Sequence, residues 1–139
     1  MAGTHVALLR GVNVGRAKRV AMAQLRALVE SLGYREVRTL LNSGNVVFTA
    51  PRTAPAAAAA RIEAALAEQL GLAARVTALS AAELAAAVAG NPLLAADRDP
   101  SHLLVAVLAD PADRRLLAPL TGEDWSPEAV ALGARVAYL

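Results

Sequence analysis

A chain of 139 residues without cysteine suffices for one domain or two small halves, and it excludes disulfides, thiolate metal sites and cysteine nucleophiles. Composition is 56 % hydrophobic but only 3 % aromatic, so the core must be built from Leu, Val and Ala. The net charge of +2 hides an uneven distribution: residues 1–52 hold eight cations (Arg10, Arg16, Lys18, Arg19, Arg26, Arg35, Arg38, Arg52) against Glu30 and Glu36, whereas residues 53–139 hold six cations against ten carboxylates. Such asymmetry predicts an anionic partner for the first half. Solvated arginines in an Arg- and Ala-rich composition are the plainer alternative.

In chain order, "HVALLRG" reads as a strand ending at Gly11. "MAQLRALVESLG" places Met22, Leu25, Val29 and Leu32 at helical spacing, closed by Gly33. "REVRTLLNSGNVVFTA" gives two β-rich runs around a Ser43-Gly44 turn. Thr53 is placed to cap a helix through "AAAARIEAALAEQL", ended by Gly71, and "ARVTAL" is a further strand. Residues 1–79 thus spell β-α-β-β-α-β, an α+β, ferredoxin-like split pattern. From Ser80 a capping box (Ser80 with Glu83) opens a short helix that stops near Asn91-Pro92, and "HLLVAVLA" is a strand. Asp110-Pro111 opens another helix, and "AVALGARVAYL" forms two short strands about Gly133. Residues 80–139 therefore read β-α-β-β after that first helix, an incomplete second half expected to pack on the first. Thr4-His5-Val6 and Ser101-His102-Leu103 open the two halves alike.

In a split β-α-β sheet of order 4-1-3-2, the loop after the first strand and the hairpin between the second and third lie at one end. "RGVNVGRAKR" (10–19) and "NSGN" (42–45) should therefore meet. Glycines there let backbone N–H groups face a ligand, the first helix begins nearby, and arginine forks onto phosphate or carboxylate. The candidate ligand-binding residues are Arg10, Gly11, Asn13, Gly15, Lys18, Arg19, Asn42, Ser43, Gly44 and Asn45, and the expected ligand is a small phosphorylated or carboxylated molecule. The spacing fits neither a Walker loop nor a dinucleotide fingerprint. Turn chemistry alone also accounts for the hairpin residues. The rival partner is nucleic acid held through its phosphates. Base stacking is not expected, because the central strands offer only Phe48 and look apolar on both faces. A structural or regulatory subunit without a ligand is the third reading.

His5 and His102 read as surface histidines, and Asp97 and Asp99 as a solvated acidic loop. Neither a Ser-His-Asp set nor a metal-ligand cluster is visible, so no cofactor, metal or general base is assigned; in a reaction, Arg10 and Lys18 would stabilise charge. The N-terminal apolar run is too short for a signal peptide, and no uncharged stretch is long enough to span a membrane. A cytoplasmic location is the expectation.

The stretch "ALLRGVNVGRAKRVAMAQLRALVESLGYREVRTLLNSGNVVF" resembles the bacterial family called domain of unknown function 1697. The resemblance rests on Arg10, Gly11, Asn13, Val14, Gly15, Val20 and Met22, then on Ser43 to Phe48. It implies an α+β fold of ferredoxin-like type, duplicated, and brings no function with it. Arg16, Ala21 and Asn42 depart from the family's usual Gly, Pro and Gln. Family members usually continue past a strand like "RVAYL" into a polar, basic helical segment, so the resemblance implies a truncated relative, a piece of a longer chain, or a sheet completed by another subunit. An exposed edge on the C-terminal strand, and a homodimer through it, are the expectations.

Overall fold

The computed structural model describes residues 2–13, 18–94 and 99–139 and, for Ala2 and Pro100, the backbone alone. It is an α+β protein whose chain divides into two units, Met1–Ala82 and Glu83–Leu139. Among the described residues no helix is long and apolar enough to cross a membrane.

In the first unit β1 (Ala2–Leu9) is followed by α1 (Met22–Ser31), β2 (Arg35–Leu40), β3 (Asn45–Pro51), α2 (Pro55–Leu70) and β4 (Val76–Ser80). The strands form an antiparallel sheet in the order β2-β3-β1-β4. Period-two alternation sends Ala7 and Leu9 of β1, and Val46, Phe48 and Ala50 of β3, to one face, where all are buried. Both helices cover that face: α1 with Leu25, Leu28 and Val29, and α2 with Ala58, Ala59, Ile62, Ala65 and Leu66. Alanine takes three of the five buried positions on α2, which lets the helix lie close to the sheet. Tyr34 stacks on Phe48 at 4.9 Å between ring centroids, and the Arg61 guanidinium lies 5.3 Å from the centre of the Tyr34 ring. On the opposite face Val6, Leu8 and Val47 are only half-buried.

Three local expectations need correction. His5 is buried rather than on the surface: its ring stacks on Phe48, and its nitrogens lie 3.0 Å from the Gly3 carbonyl and 2.9 Å from that of Thr53. Thr53 does not cap α2, because its hydroxyl donates to the Pro51 carbonyl and Ala54 takes the N-cap position with no side-chain bond. The helix opened by Asp110 is broken up. The Asp110 carboxylate does accept from the Ala112 amide, but a 3-10 turn (Pro111–Asp113), α4 (Arg114–Leu117) and a second 3-10 turn (Ala118–Gly122) follow in sequence. Pro119 lacks the amide that would continue the α-helical ladder.

The second unit begins in α3 (Ala81–Ala89) and contains β5 (Val105–Val107), α4, β6 (Ala131–Leu132) and β7 (Val136–Tyr138). Its sheet has the order β5-β7-β6. The C-terminal strand β7 is therefore central and buried, not the exposed edge expected of it, and no homodimer can form along it. Leu104 and Leu139 prolong the β5–β7 ladder, exchanging both backbone bonds at 2.9 Å.

The ladders of the two units match residue for residue. Leu9 donates to Gly44 just before β3, and Leu108 donates to Arg135 just before β7. From there the pairs Leu8↔Asn45, Ala7↔Val46 and Val6↔Val47 correspond to Val107↔Val136, Ala106↔Ala137 and Val105↔Tyr138. Thr39↔Val46 and Arg38↔Val47 likewise correspond to Leu132↔Ala137 and Ala131↔Tyr138. In this register His5 matches Leu104, whereas His102 sits in a 3-10 turn ahead of β5, so the likeness of the two tripeptides is not a structural one. The layers also differ: Val136 and Tyr138 are buried together with Ala87 of α3, and the Tyr138 hydroxyl donates to the Ala87 carbonyl at 2.7 Å.

Candidate functional site

The end of β1, the start of β4 and the tip of the β2–β3 hairpin lie together. Leu9 donates to the Gly44 carbonyl at 2.9 Å, and Arg10 donates to the Arg75 carbonyl at 2.9 Å. Gly44 makes the first contact possible. Its φ is +90°, and a Cβ there would stand 2.8 Å from both the Leu9 Cβ and the Val12 Cγ2, closer than real Cβ atoms approach. Gly11 also has a positive φ, +72°, but a Cβ there would meet nothing within 4 Å. It is needed for the corner, not for packing.

Asn13 fastens the loop. In the left-handed region (φ 54°), where Asn is tolerated, it accepts from the Val20 amide at 2.9 Å and donates to the Val20 and Asn42 carbonyls, both at 2.8 Å. Its backbone amide adds a bond to the Lys18 carbonyl at 3.0 Å. These contacts tie Asn13 to Lys18, to Val20 and to the hairpin. Asn45 does the same for the hairpin, donating to the Leu40 carbonyl and the Ser43 hydroxyl, each at 3.0 Å. Asn13, Ser43, Gly44 and Asn45 thus hold the shape, while Gly15 and Arg16 lie outside the described residues. Asn42 gives its carbonyl to Asn13 and stands exposed.

The charges are arranged differently. Arg10, Lys18 and Arg19 are exposed, and among the described residues none has a carboxylate within ion-pair distance. Arg75 joins them at the head of β4, exposed and likewise without an ion pair among the described residues. It was missed in the sequence, although the 4-1-3-2 strand order puts the start of β4 beside the end of β1. One nearby carboxylate is occupied: Glu63 on α2 accepts from the Val76 amide at 2.7 Å. The neutral groups thus tie Asn13, Val20 and the hairpin together, and the exposed cations beside them have no ion pair among the described residues.

The second unit contains a cavity of about 410 Å³ between α3 and the β6–β7 turn, lined by Ala86, Ala87, Gly90, Val136 and the Tyr138 ring. Its charged members, Arg135 and Glu83, stand 3.7 Å apart and pair with each other, leaving no excess charge. Asp99 and Asp124 are exposed, and hydrogen bonds from Ser101 and Ser126 hold their carboxyls below the usual range. Among the described residues no three His, Asp or Glu side chains are placed to hold a metal ion; Asp97 lies outside those residues. Phe48 is buried between His5 and Tyr34, so the central strands present no aromatic ring for base stacking.

The family model described as "Protein of unknown function (DUF1697)" matches residues 2–138. Among solved structures, the chain is similar to the conserved bacterial protein SP0830 from Streptococcus pneumoniae, with a TM-score of 0.81 and 24 % identity. That match covers 99 % of this chain and 76 % of the other. No curated protein matches.

Proposed function

The chain belongs to the family described as Protein of unknown function (DUF1697), and from that premise we propose that its first unit binds a small phosphate- or carboxylate-bearing molecule at the β1 loop and β2–β3 hairpin. The observation that carries this reading is the set of exposed cations, Arg10, Lys18, Arg19 and Arg75, without ion pairs among the described residues, beside the hydrogen bonds that tie Asn13 to Val20 and Asn42. Side chains that flank hydrogen-bonded backbone, as Arg10 and Arg75 do, meet an anion with part of their ordering entropy already spent in folding. Arg10 and Arg75 are the forks for an oxyanion, and Lys18 and Arg19 supply further charge.

We also read the first unit as a ferredoxin-like split β-α-β and the second as an incomplete copy of it. The matched ladder registers support this, down to the shorter β6–β7 turn that takes the place of the β2–β3 hairpin.

Equilibrium titration with inorganic phosphate, nucleoside phosphates, phosphosugars and small carboxylates tests the site. Saturable binding that weakens at least tenfold in both Arg10→Ala and Arg75→Ala supports it. Affinity found only for polynucleotides, falling steeply with salt and indifferent to sequence, would replace it with a phosphate-backbone binding module.

A further inference from the structure

We propose that the cavity of the second unit binds an α-amino acid with an apolar side chain, its carboxylate on Arg135 and its ammonium on Glu83. The inference is independent of the anion site, because it uses only residues of the second unit.

The cavity of about 410 Å³ is lined wholly by residues between Glu83 and Tyr138. It has the size and character of a small-molecule site, mostly apolar with a few polar groups. Two glycines make part of the room. Neither Gly90 nor Gly133 has a positive φ, so neither is glycine for the sake of a left-handed corner. A Cβ on Gly133 would stand 3.2 Å from the Tyr138 ring and hydroxyl, and one on Gly90 would stand 3.0 Å from the Ala86 carbonyl oxygen. Space is what they provide. The Tyr138 hydroxyl donates to the Ala87 carbonyl at 2.7 Å, which fixes the ring as one wall.

At this end of the sheet the two units differ in residues that both contain. Leu108 donates to Arg135 as Leu9 donates to Gly44, so Arg135 stands where the first unit has Gly44. Beyond Leu9, Val12 is buried against Gly44. The matching position beyond Leu108 is Pro111, which is exposed and lines the cavity. Side chains close that corner in the first unit; in the second they leave a recess with a charged wall.

That wall is neutral in sum. Arg135 and Glu83 stand 3.7 Å apart, their side chains 16 % and 36 % exposed. A guanidinium has several N–H donors and a carboxylate several acceptor positions, so pairing with each other leaves both able to hold a ligand group as well. A ligand of one net charge would meet a like charge beside its partner. A zwitterion meets each group with its opposite, and the guanidinium forks onto a carboxylate. An α-amino acid carries its two charges close together, as the pair on the wall does, and leaves its side chain to Ala86, Ala87 and Val136.

Calorimetric titration of the native chain with leucine and phenylalanine tests this, and at least one of them should bind saturably. Isocaproate, which lacks the ammonium of leucine, and isoamylamine, which lacks its carboxylate, should bind at least tenfold more weakly than the amino acid. Glu83→Gln should weaken the amino acid at least tenfold. Ala86→Phe fills the cavity from an exposed position of α3 and should abolish binding while the circular dichroism spectrum is retained. Arg10→Ala should leave binding unchanged. No binding of either amino acid to the native chain would overturn the proposal. So would equal affinity for isocaproate or isoamylamine, or an affinity unmoved by Glu83→Gln, since the charged pair would then play no part. Binding that survives Ala86→Phe would put the ligand elsewhere and overturn it too.

Discussion

Two glycines a short distance apart have different duties, and the difference can be measured. At Gly44 a methyl group would enter contacts of 2.8 Å with Leu9 and Val12 at a positive φ. Gly44→Ala should therefore cost about 2–4 kcal/mol, overpacking added to backbone strain. At Gly11 only the backbone term applies, and Gly11→Ala should cost about 1 kcal/mol. Denaturant unfolding of both variants checks the order; equal losses would mean that the hairpin does not sit against Leu9 as described. Asn13→Ala removes three side-chain hydrogen bonds and should destabilise by about 2–3 kcal/mol, with phosphate affinity falling as the loop loosens. Glycine and asparagine in "RGVNVG" and "NSGN" were legible as a special corner. Which of them shape it and which face a ligand was not, because that division depends on contacts between residues 13 and 42, far apart in sequence.

Helices and strands show the same pattern of what sequence carries. The apolar runs of β1 and β3 and the helical spacing of Leu25, Leu28 and Val29 mark strands and a helix, and these were readable; that the strands bury one face fully and the other only in part was not. His5 was not: a polar residue at the start of a strand reads as surface, and only the stacking of Phe48 from another strand shows it to be core. Nor was the reduction of "HLLVAVLA" to Val105–Val107, since apolar content does not say where a ladder finds a partner. Both long helices begin on alanine caps with no side-chain acceptor, Ala21 and Ala54. Ala21→Ser and Ala54→Ser should each raise stability by about 1 kcal/mol, read as a higher melting temperature. No gain in either would contradict the assigned helix starts.

Across the whole chain, only part of the excess of cations in the first 52 residues becomes a local feature once the strand order is known, and Arg75 from outside that stretch joins it. Arg10, Lys18, Arg19 and Arg75 gather at one end of the first sheet, while Arg26 pairs with Glu30 on α1 at 3.7 Å and plays no part. The lowered pKa values of Asp99 and Asp124 add a pH term of definite sign. A folded carboxyl below its unfolded value stabilises fully above that value and loses its contribution as pH falls through the folded one. Stability should therefore fall on acidification below the ordinary carboxylate range, and less so in Asp99→Asn. An unchanged acid limb in that variant would remove Asp99 from the account.

The most direct test of the anion site is a thermal-shift titration with phosphate-bearing small molecules, run on the native chain, on Arg10→Ala and Arg75→Ala, and on Arg115→Ala as a control in the second unit. A ligand at about 100 times its dissociation constant should stabilise the native chain by about 2.7 kcal/mol, which is a rise on the order of 8–12 °C for a domain of this size. The account predicts that rise in the native chain and Arg115→Ala and its loss in the other two variants. A rise that survives both Arg10→Ala and Arg75→Ala, or no rise with any phosphate or carboxylate, would contradict it.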